Sequence, residues 1–196
     1  MNQHEFVFAG FGGQGVMFVG QLLAYAAMDA GREVTWIPSY GPEMRGGTAN
    51  CTVTISDKPI GSPLVRHPKV AVVFNNPSFI KYVPIVAAGG WLAYNSSIID
   101  RPCERTDIHA LAVPASRIAD EVGNPRLMNV ALLGAVLAVY PILPLELVKQ
   151  TLKDHLGKPH LLAQNYQALE KGYTLCLTGS TPNEPAISPL LKFENC

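Results

Sequence analysis

The hydrophobic positions of this chain fall into short and long runs that alternate along the sequence. Short apolar runs, and runs in which apolar and polar residues alternate, are typical of strands, whereas apolar residues spaced by three and four are typical of helices. Strands are therefore predicted at 6–9, 33–37, 50–56, 70–75, 90–95 and 108–114. Helices are predicted at 16–30, 77–86, 116–122, 127–140, 145–156 and 161–173.

The order of these elements predicts the fold class. Strands that alternate with helices form a three-layer α/β/α domain, because both faces of a largely parallel sheet must be covered. The strands at 33–37 and 50–56 follow one another with no helix between them, which predicts a mixed sheet with some antiparallel pairing. We expect a single α/β domain over residues 1–177 and an irregular, proline-containing tail over 178–196.

The most apolar segment, residues 127–145, is interpreted as a buried helix. Pro141 and Pro144 limit it to about 14 helical residues, whereas a membrane span requires roughly 20. The N-terminus has no basic segment followed by a cleavage site, so export is not indicated. We expect a soluble cytoplasmic protein without a membrane partner.

Charge and cysteine content narrow the classes of partner. The 15 basic and 15 acidic side chains cancel, which argues against nucleic acid. Charged residues make up only 15% of the chain, which leaves two interpretations open: apolar surface that partner subunits cover, or a core rich in Ala and Val. The four cysteines lack the spacing of metal or cluster ligands, so no metal site is predicted and the thiols suit a reducing cytoplasm.

A glycine-rich turn, GFGGQG at residues 10–15, joins the first predicted strand to the first predicted helix. Gly10, Gly12 and Gly15 match the dinucleotide-binding pattern GxGxxG, in which the backbone approaches a phosphate and the helix directs free amides at the anion. The acidic residue that such sites need after the second strand is missing, and no Walker lysine follows the glycines. NAD or FAD is therefore disfavoured, and a tight turn needed only for packing is the alternative.

A second loop, SYGPEMRGGTANCTV at residues 39–53, is predicted at the same carboxyl edge of the sheet. Tyr40 supplies an aromatic face, Glu43 a carboxylate, and Arg45 a guanidinium that can bind phosphate or carboxylate. The alternative is a surface turn with an internal Glu43–Arg45 pair. In the first turn, the amide of Gln14 offers a donor and an acceptor to a ligand or a neighbouring subunit. The candidate binding residues are Gly12, Gly13, Gln14, Gly15, Ser39, Tyr40, Gly41, Glu43, Arg45, Gly46 and Gly47.

The remaining polar residues predict no catalytic set. Asn75 and Asn95 end predicted strands, and they either line the same edge or cap the structure that follows. The five histidines are dispersed, and none lies in a nucleophile motif. The chain is expected to bind and position a ligand without carrying out bond chemistry alone.

Together, GFGGQGV and PSYGPEMRGGTANCTV resemble the gamma subunit of 2-oxoacid:ferredoxin oxidoreductases. The resemblance extends along nearly the whole chain, through NNPS, NSSII, MNVALLGA and ALEKGY. It implies a Rossmann-like fold similar to domain III of pyruvate:ferredoxin oxidoreductase. The SYGPEMRGG form of the loop is more like the 2-oxoglutarate branch than the pyruvate branch, and the 2-oxoisovalerate enzymes remain an alternative.

The resemblance implies a role within a larger complex. Such enzymes decarboxylate a 2-oxoacid on thiamine diphosphate, transfer the acyl group to coenzyme A and reduce ferredoxin through iron–sulfur clusters. Thiamine diphosphate, Mg and the clusters are expected on alpha, beta and delta subunits, with coenzyme A as the ligand that the two loops help to seat. Two alternatives are a purely structural subunit and a free nucleotide-binding protein, and the isolated chain is a candidate homodimer.

Overall fold

The computed structural model describes residues 3–41, 47–155 and 159–178. Within them the strands are β1 (Gln3–Phe11), β2 (Glu33–Tyr40), β3 (Thr48–Ser56), β4 (Val70–Val73), β5 (Trp91–Asn95) and β6 (His109–Val113). The helices are α1 (Val16–Asp29), α2 (Asn76–Tyr82), α3 (Ala115–Glu121), α4 (Met128–Val139), α5 (Leu145–His155) and α6 (Pro159–Leu177). Two short 3₁₀ turns, Val83–Ile85 and Pro125–Leu127, follow α2 and precede α4.

The strands form one mixed sheet in the order β2-β3-β1-β4-β5-β6. The pairs from β1 through β4 and β5 to β6 are parallel. Only β3 runs in the opposite direction, since it pairs antiparallel with both β1 and β2. The predicted α/β fold and its mixed sheet are therefore confirmed.

The second strand is longer than predicted. The predicted strand ends at residue 37, before Pro38, but β2 continues to Tyr40, with Pro38 opposite Cys51 of β3. The reason is the position of β2 at the edge of the sheet, where a residue without an N–H can point its nitrogen away from the neighbouring strand. The extension brings Tyr40 to the same end of the sheet as the glycine turn.

Alternating strand residues separate two hydrophobic clusters, one on each face of the sheet. Phe6 and Phe8 of β1 join the larger cluster, which also contains residues of α1, α3, α4, α5 and α6. Val7 and Ala9 point to the other face, where Phe79 of α2 belongs to the smaller cluster. This arrangement produces three layers with most of the helices on one side.

The predicted buried helix at 127–140 is α4, whose residues Asn129 to Leu137 are all buried. The last predicted helix is longer than expected, since α6 covers Pro159–Leu177. No helix among the described residues is long and apolar enough to cross a membrane. Apart from Thr178, the predicted irregular tail lies outside the described residues.

The backbones of α4 and α6 touch at two glycines. A Cβ atom built on Gly134 would lie 2.0 Å from the carbonyl oxygen of Leu169. One built on Gly172 would lie 1.9 Å from the carbonyl oxygen of Ala131. Since both obstacles are backbone atoms, no side-chain rotation can relieve them, and glycine is required at this crossing.

Gly134→Ala is therefore expected to lower the free energy of unfolding by about 2–3 kcal/mol, because the two helices must move apart. Urea unfolding of the purified chain measures the change. The matched control is Gly61→Ala, where a Cβ meets nothing within 4 Å and φ is not positive. Equal unfolding free energies for the two variants would contradict the proposed backbone contact.

Candidate functional site

The two predicted loops meet at the carboxyl edge of the parallel strands. The backbone N–H of Gly12 donates to the carbonyl oxygen of Gly47 at 2.9 Å. At the other end of the second loop, the N–H of Gly41 donates to the carbonyl of Thr48 at 3.0 Å. These bonds bring the ends of the second loop beside the glycine turn.

Two glycines of the glycine-rich turn at residues 10–15 adopt left-handed backbone conformations. Gly13 has a φ of 100° and Gly15 a φ of 73°. A Cβ on Gly13 would meet nothing within 4 Å, so the backbone there faces open space. A Cβ on Gly15 would lie 2.1 Å from Nδ2 of Asn129. Packing therefore explains Gly15, whereas the space above Gly13 is available to a ligand or a partner.

The amide of Gln14 is used partly within the chain. Its Oε1 accepts a hydrogen bond from the backbone N–H of Phe11 at 2.7 Å and another from Nδ2 of Asn75 at 3.1 Å. We predicted that this amide offers both a donor and an acceptor to a ligand or a neighbouring subunit, but its acceptor is bonded inside the chain. No described residue bonds Nε2, so the donor half is the one left for an external group.

Asn129 holds the turn from the opposite side. Its side chain is 3% exposed, donates from Nδ2 to the carbonyl of Gly15 at 3.1 Å and accepts the N–H of Val130 at 2.9 Å. Asn129 is not among the residues that the sequence pattern predicts for the site. The available signal was a single amide in an otherwise apolar helix, because a buried polar group needs a partner.

The asparagines that follow or end β4 and β5 form hydrogen bonds within the chain. Oδ1 of Asn75 accepts the N–H of Ser78 at the start of α2, at 2.9 Å. Asn95 accepts the N–H of Ser97 and donates to the hydroxyl of Ser116 at 2.9 Å. Asn75 is therefore the helix cap that the alternative expected, and it also links the end of β4 to Gln14. Asn95 instead bonds within a turn and to Ser116.

A cavity of about 360 Å³ lies where the two loops meet. No charged side chain is among its described lining residues, which are Phe11, Gly12, Gly13, Gly15, Val16, Met17, Phe18, Tyr40, Thr48 and Ala49. The first turn of α1 has no acidic residue, and no side chain caps it. The first intrahelical hydrogen bond of α1 runs from the N–H of Val19 to the carbonyl of Gly15. The backbone N–H groups that precede Val19 in α1 are therefore free of intrahelical bonds. Together with the positive end of the helix dipole, they favour an anion in this cavity.

Three predicted site residues, Glu43, Arg45 and Gly46, lie outside the described residues. Ser39 and Tyr40 are exposed at the end of β2, and Ser39 pairs with Asn50 rather than lining the cavity. Residues 42–46 connect Gly41 to Gly47, and both of these glycines are bonded at the edge of the sheet.

The thiol nearest the site is a core residue. Cys51 is fully buried in β3, its S–H points at the carbonyl of Val16, and burial raises the pKa of the thiol to about 12. A thiol with so high a pKa is inert as a nucleophile at neutral pH. Within 3–41, 47–155 and 159–178, no three His, Cys, Asp or Glu residues are grouped so that they could hold a metal.

Comparison with known proteins identifies the family. The family model for pyruvate ferredoxin/flavodoxin oxidoreductase matches residues 5–175. The chain belongs to this family. The resemblance that the two loops carry is thereby confirmed, and the residues they contribute lie within the matched segment.

Three similar proteins illustrate the range of family members. The ketoisovalerate oxidoreductase subunit VorA of Methanothermobacter marburgensis is 40% identical over 169 residues, covering 84% of this chain and 34% of that protein. The 2-oxoglutarate synthase subunit KorC of Methanocaldococcus jannaschii is 31% identical over 172 residues, covering 86% of this chain and 91% of that protein. This chain thus spans about a third of the length of VorA and nearly all of KorC.

A solved structure has the same fold. It is the 2-oxoglutarate:ferredoxin oxidoreductase of Magnetococcus marinus with 2-oxoglutarate, coenzyme A and succinyl-CoA bound. Its TM-score is 0.83 at 26% identity, and the match covers 94% of this chain and 32% of that one.

The two hydrogen bonds of Asn129 are expected to stabilise the glycine turn and the start of α4. Asn129→Ala removes two hydrogen bonds. The carbonyl of Gly15 keeps its bond from the N–H of Val19, but the N–H of Val130 loses its bond to Oδ1. The variant is therefore expected to lower the free energy of unfolding by about 2 kcal/mol. Urea unfolding of the purified chain measures this cost.

Asn129→Asp is the matched variant, because Asp keeps the shape of Asn and replaces the amide with a carboxyl group. An ionised carboxylate against the carbonyl of Gly15 is unfavourable, and burial further raises the pKa of the introduced carboxyl in the folded state. Its stability should therefore be greatest at low pH and fall as pH rises through that raised pKa. A variant whose pH profile matches that of the parent chain would show that Asn129 does not face Gly15.

Proposed function

We propose that this chain is the gamma subunit of a 2-oxoacid:ferredoxin oxidoreductase and that it contributes to a coenzyme A site at an interface between subunits. The reaction oxidatively decarboxylates a 2-oxoacid to its acyl-CoA and reduces ferredoxin. The observation that carries the proposal is the hydrogen bond between Gly12 and Gly47, which joins both loops around one cavity at the start of α1.

The cavity suits the phosphates of coenzyme A. Its volume of about 360 Å³ lies in the range of small-molecule sites, and the amides at the start of α1 provide donors for an anion. An acidic residue for a ribose hydroxyl is unnecessary for this ligand. The solved relative with coenzyme A bound supports this choice of ligand.

The bond chemistry is assigned to partner subunits. The described residues offer no metal-ligand group, and the sequence has no thiamine motif and no run of cluster cysteines. Thiamine diphosphate, Mg and iron–sulfur clusters are therefore proposed on alpha, beta and delta chains. This chain would position coenzyme A and seal the site against water.

The proposed substrate class is a 2-oxoacid. The SYGPEMRGG loop favours 2-oxoglutarate, whereas the relative with 40% identity is named for ketoisovalerate. Ferredoxin reduction by the purified complex with 2-oxoglutarate, pyruvate and 2-oxoisovalerate in turn distinguishes these substrates.

The alternative is a structural subunit that contacts no ligand. Ile37 and Tyr40 are 41% and 61% exposed on the edge strand, and Tyr40 also lines the cavity. Exposed apolar groups at a sheet edge suit a partner protein. Co-purification of the alpha, beta and delta chains with a tagged copy of this chain tests assembly, and the two coenzyme A measurements below separate the alternatives.

Met17→Glu places a negative charge in the first turn of α1, beside the cavity. In the assembled complex it should raise the KM for coenzyme A about tenfold, because the charge repels a phosphate. The isosteric control Met17→Gln should change KM by less than about threefold. Met17 also packs against the core, so both variants lose the same apolar contact and Met17→Gln controls for any change in thermal stability. Equal KM values for the two variants would exclude an anion at this turn.

Arg45→Ala tests the second loop. Loss of one charge-assisted phosphate contact should raise the KM for coenzyme A roughly ten- to a hundred-fold, which corresponds to about 1.5–3 kcal/mol. Arg45→Lys keeps the charge without the planar fork and should give an intermediate value. Steady-state kinetics at varied coenzyme A measure the effect, and an unchanged KM in Arg45→Ala would remove this role.

A further inference from the structure

The second face of the sheet, opposite α1, is covered by a thin layer. Its one α-helix among the described residues is α2, which packs on β1 and β4. The segment 96–108, which connects β5 to β6 without a helix or a strand, completes the layer. Ile99 and Ile108 anchor this segment, because both are buried in the smaller hydrophobic cluster. The outer side of the layer is a surface of the chain that the proposed coenzyme A site does not use.

A groove of about 590 Å³ lies in this outer surface, between the segment 96–108 and α2 with the turn that follows it. We call it the α2 groove. The α2 groove and the cavity at the glycine turn have no lining residue in common. Its apolar lining residues are Phe79, Ile80, Val83, Pro84 and Pro102.

Arg105 holds the two walls of the α2 groove together. Its Nη1 donates to the carbonyl oxygens of Val83 at 2.9 Å and Val86 at 2.7 Å, in and after the turn that follows α2. Its Nε donates to Oδ1 of Asp107 at 2.8 Å, so the charge of the guanidinium is matched within the segment 96–108. The groove is therefore preorganised, and a partner that binds it orders few additional groups.

Two exposed isoleucines lie close together beside the groove. Ile80 follows Asn76 by four residues on α2, and Nδ2 of Asn76 lies 3.5 Å from the carbonyl oxygen of Ile98. Since residues four apart lie on the same side of a helix, Ile80 and Ile98 are neighbours. Their exposed fractions are 56% and 44%. Adjacent exposed apolar side chains next to a groove indicate a surface that another protein covers.

The α2 groove also carries one unmatched charge of each sign. Arg101 and Glu104 are exposed and line the groove, and neither side chain has an ion-pair or hydrogen-bond partner within the part of the chain that the structure describes. A partner surface of one sign would match only one of these charges. A second copy of the groove, related by a two-fold axis, presents a carboxylate to Arg101 and a guanidinium to Glu104.

We propose that the α2 groove is the contact between two copies of this chain. In this dimer, Ile80 of each copy enters the groove of the other, and Arg101 of each copy pairs with Glu104 of the other. The inference goes beyond the proposed function, because the contact lies on the face of the sheet opposite α1 and leaves the glycine turn free for coenzyme A and other subunits. The surface is small, so a dissociation constant on the order of 10 μM is expected.

The test is sedimentation velocity of the purified full chain, which should show a monomer–dimer equilibrium between about 1 and 200 μM. Arg101→Glu and Glu104→Arg each place like charges opposite one another at both contacts, so each should raise the dissociation constant at least about tenfold. An equimolar mixture of the two variants restores opposite charges at both contacts and should dimerise within about threefold of the parent constant. Arg126→Glu makes the same charge change at an exposed position before α4 and should have no effect.

A parent chain that stays monomeric at all of these concentrations would overturn the proposal, and so would a mixture that dimerises no better than its separate components. Ile80→Glu places a charge in the apolar contact and should remain monomeric throughout. A dimer that persists in Ile80→Glu would show that the contact lies elsewhere on the chain.

Co-purification with the alpha, beta and delta chains separates this inference from the proposed function. Tagged Arg101→Glu and Glu104→Arg should retain these chains as the parent does, because the α2 groove serves only the second copy. Loss of one of these chains from both variants would overturn the proposal and assign the groove to that chain. Unchanged KM values for coenzyme A in Met17→Glu would remove the proposed coenzyme A site and leave the dimer contact untouched.

Discussion

The side-chain amide of Asn129 binds the backbone of Gly15 and thereby fixes the start of α1 against the start of α4. A residue with a Cβ at position 15 would collide with this amide, and the backbone there has a positive φ. The contact therefore requires a glycine on one side and a small donor on the other. From the other flank, Gln14 joins the turn to Asn75 at the end of β4. The glycine turn is thus held in place by amide side chains from two other parts of the chain, before any ligand binds.

This rigidity explains how a site can form without charged side chains in its described lining. The described cavity wall consists of glycine backbone, uncharged aromatic and apolar side chains, and Thr48. Free amides at a helix start attract an anion only when their direction is fixed, because their partial charges act over a short range. The proposed role of orienting coenzyme A requires such fixed amides, and it requires no nucleophile or general base on this chain.

Helix α1 borders two cavities. Its N-terminus faces the cavity between the two loops, and a second cavity, between α1 and α5, is lined on the α1 side by Phe18, Gln21, Leu22 and Tyr25. The spacing of three and four residues places these side chains on one side of the helix. The opposite side of the helix is buried in the core against the sheet, which fixes its orientation. The edge strand β2 places Tyr40 at the same cavity and leaves apolar surface for a neighbouring protein.

The sequence by itself determined the order of strands and helices, the mixed character of the sheet, and the meeting of the glycine turn with the second loop. These features depend on hydrophobic period, on glycine at tight turns and on the rule that parallel strands end at one edge, all of which are local or topological. Pro38 shows the first limit, because a proline ends a central strand but not an edge strand, and the sheet order decides which applies.

Only the tertiary structure decided the partners of the amides and the helix crossing. Asn129 and Gly15 are 114 residues apart, Gln14 and Asn75 are 61 apart, and Gly134 meets the backbone of α6. Each of these contacts depends on the packing of whole elements in three dimensions. No periodicity within a short window can therefore predict which buried amide or which glycine will face which neighbour.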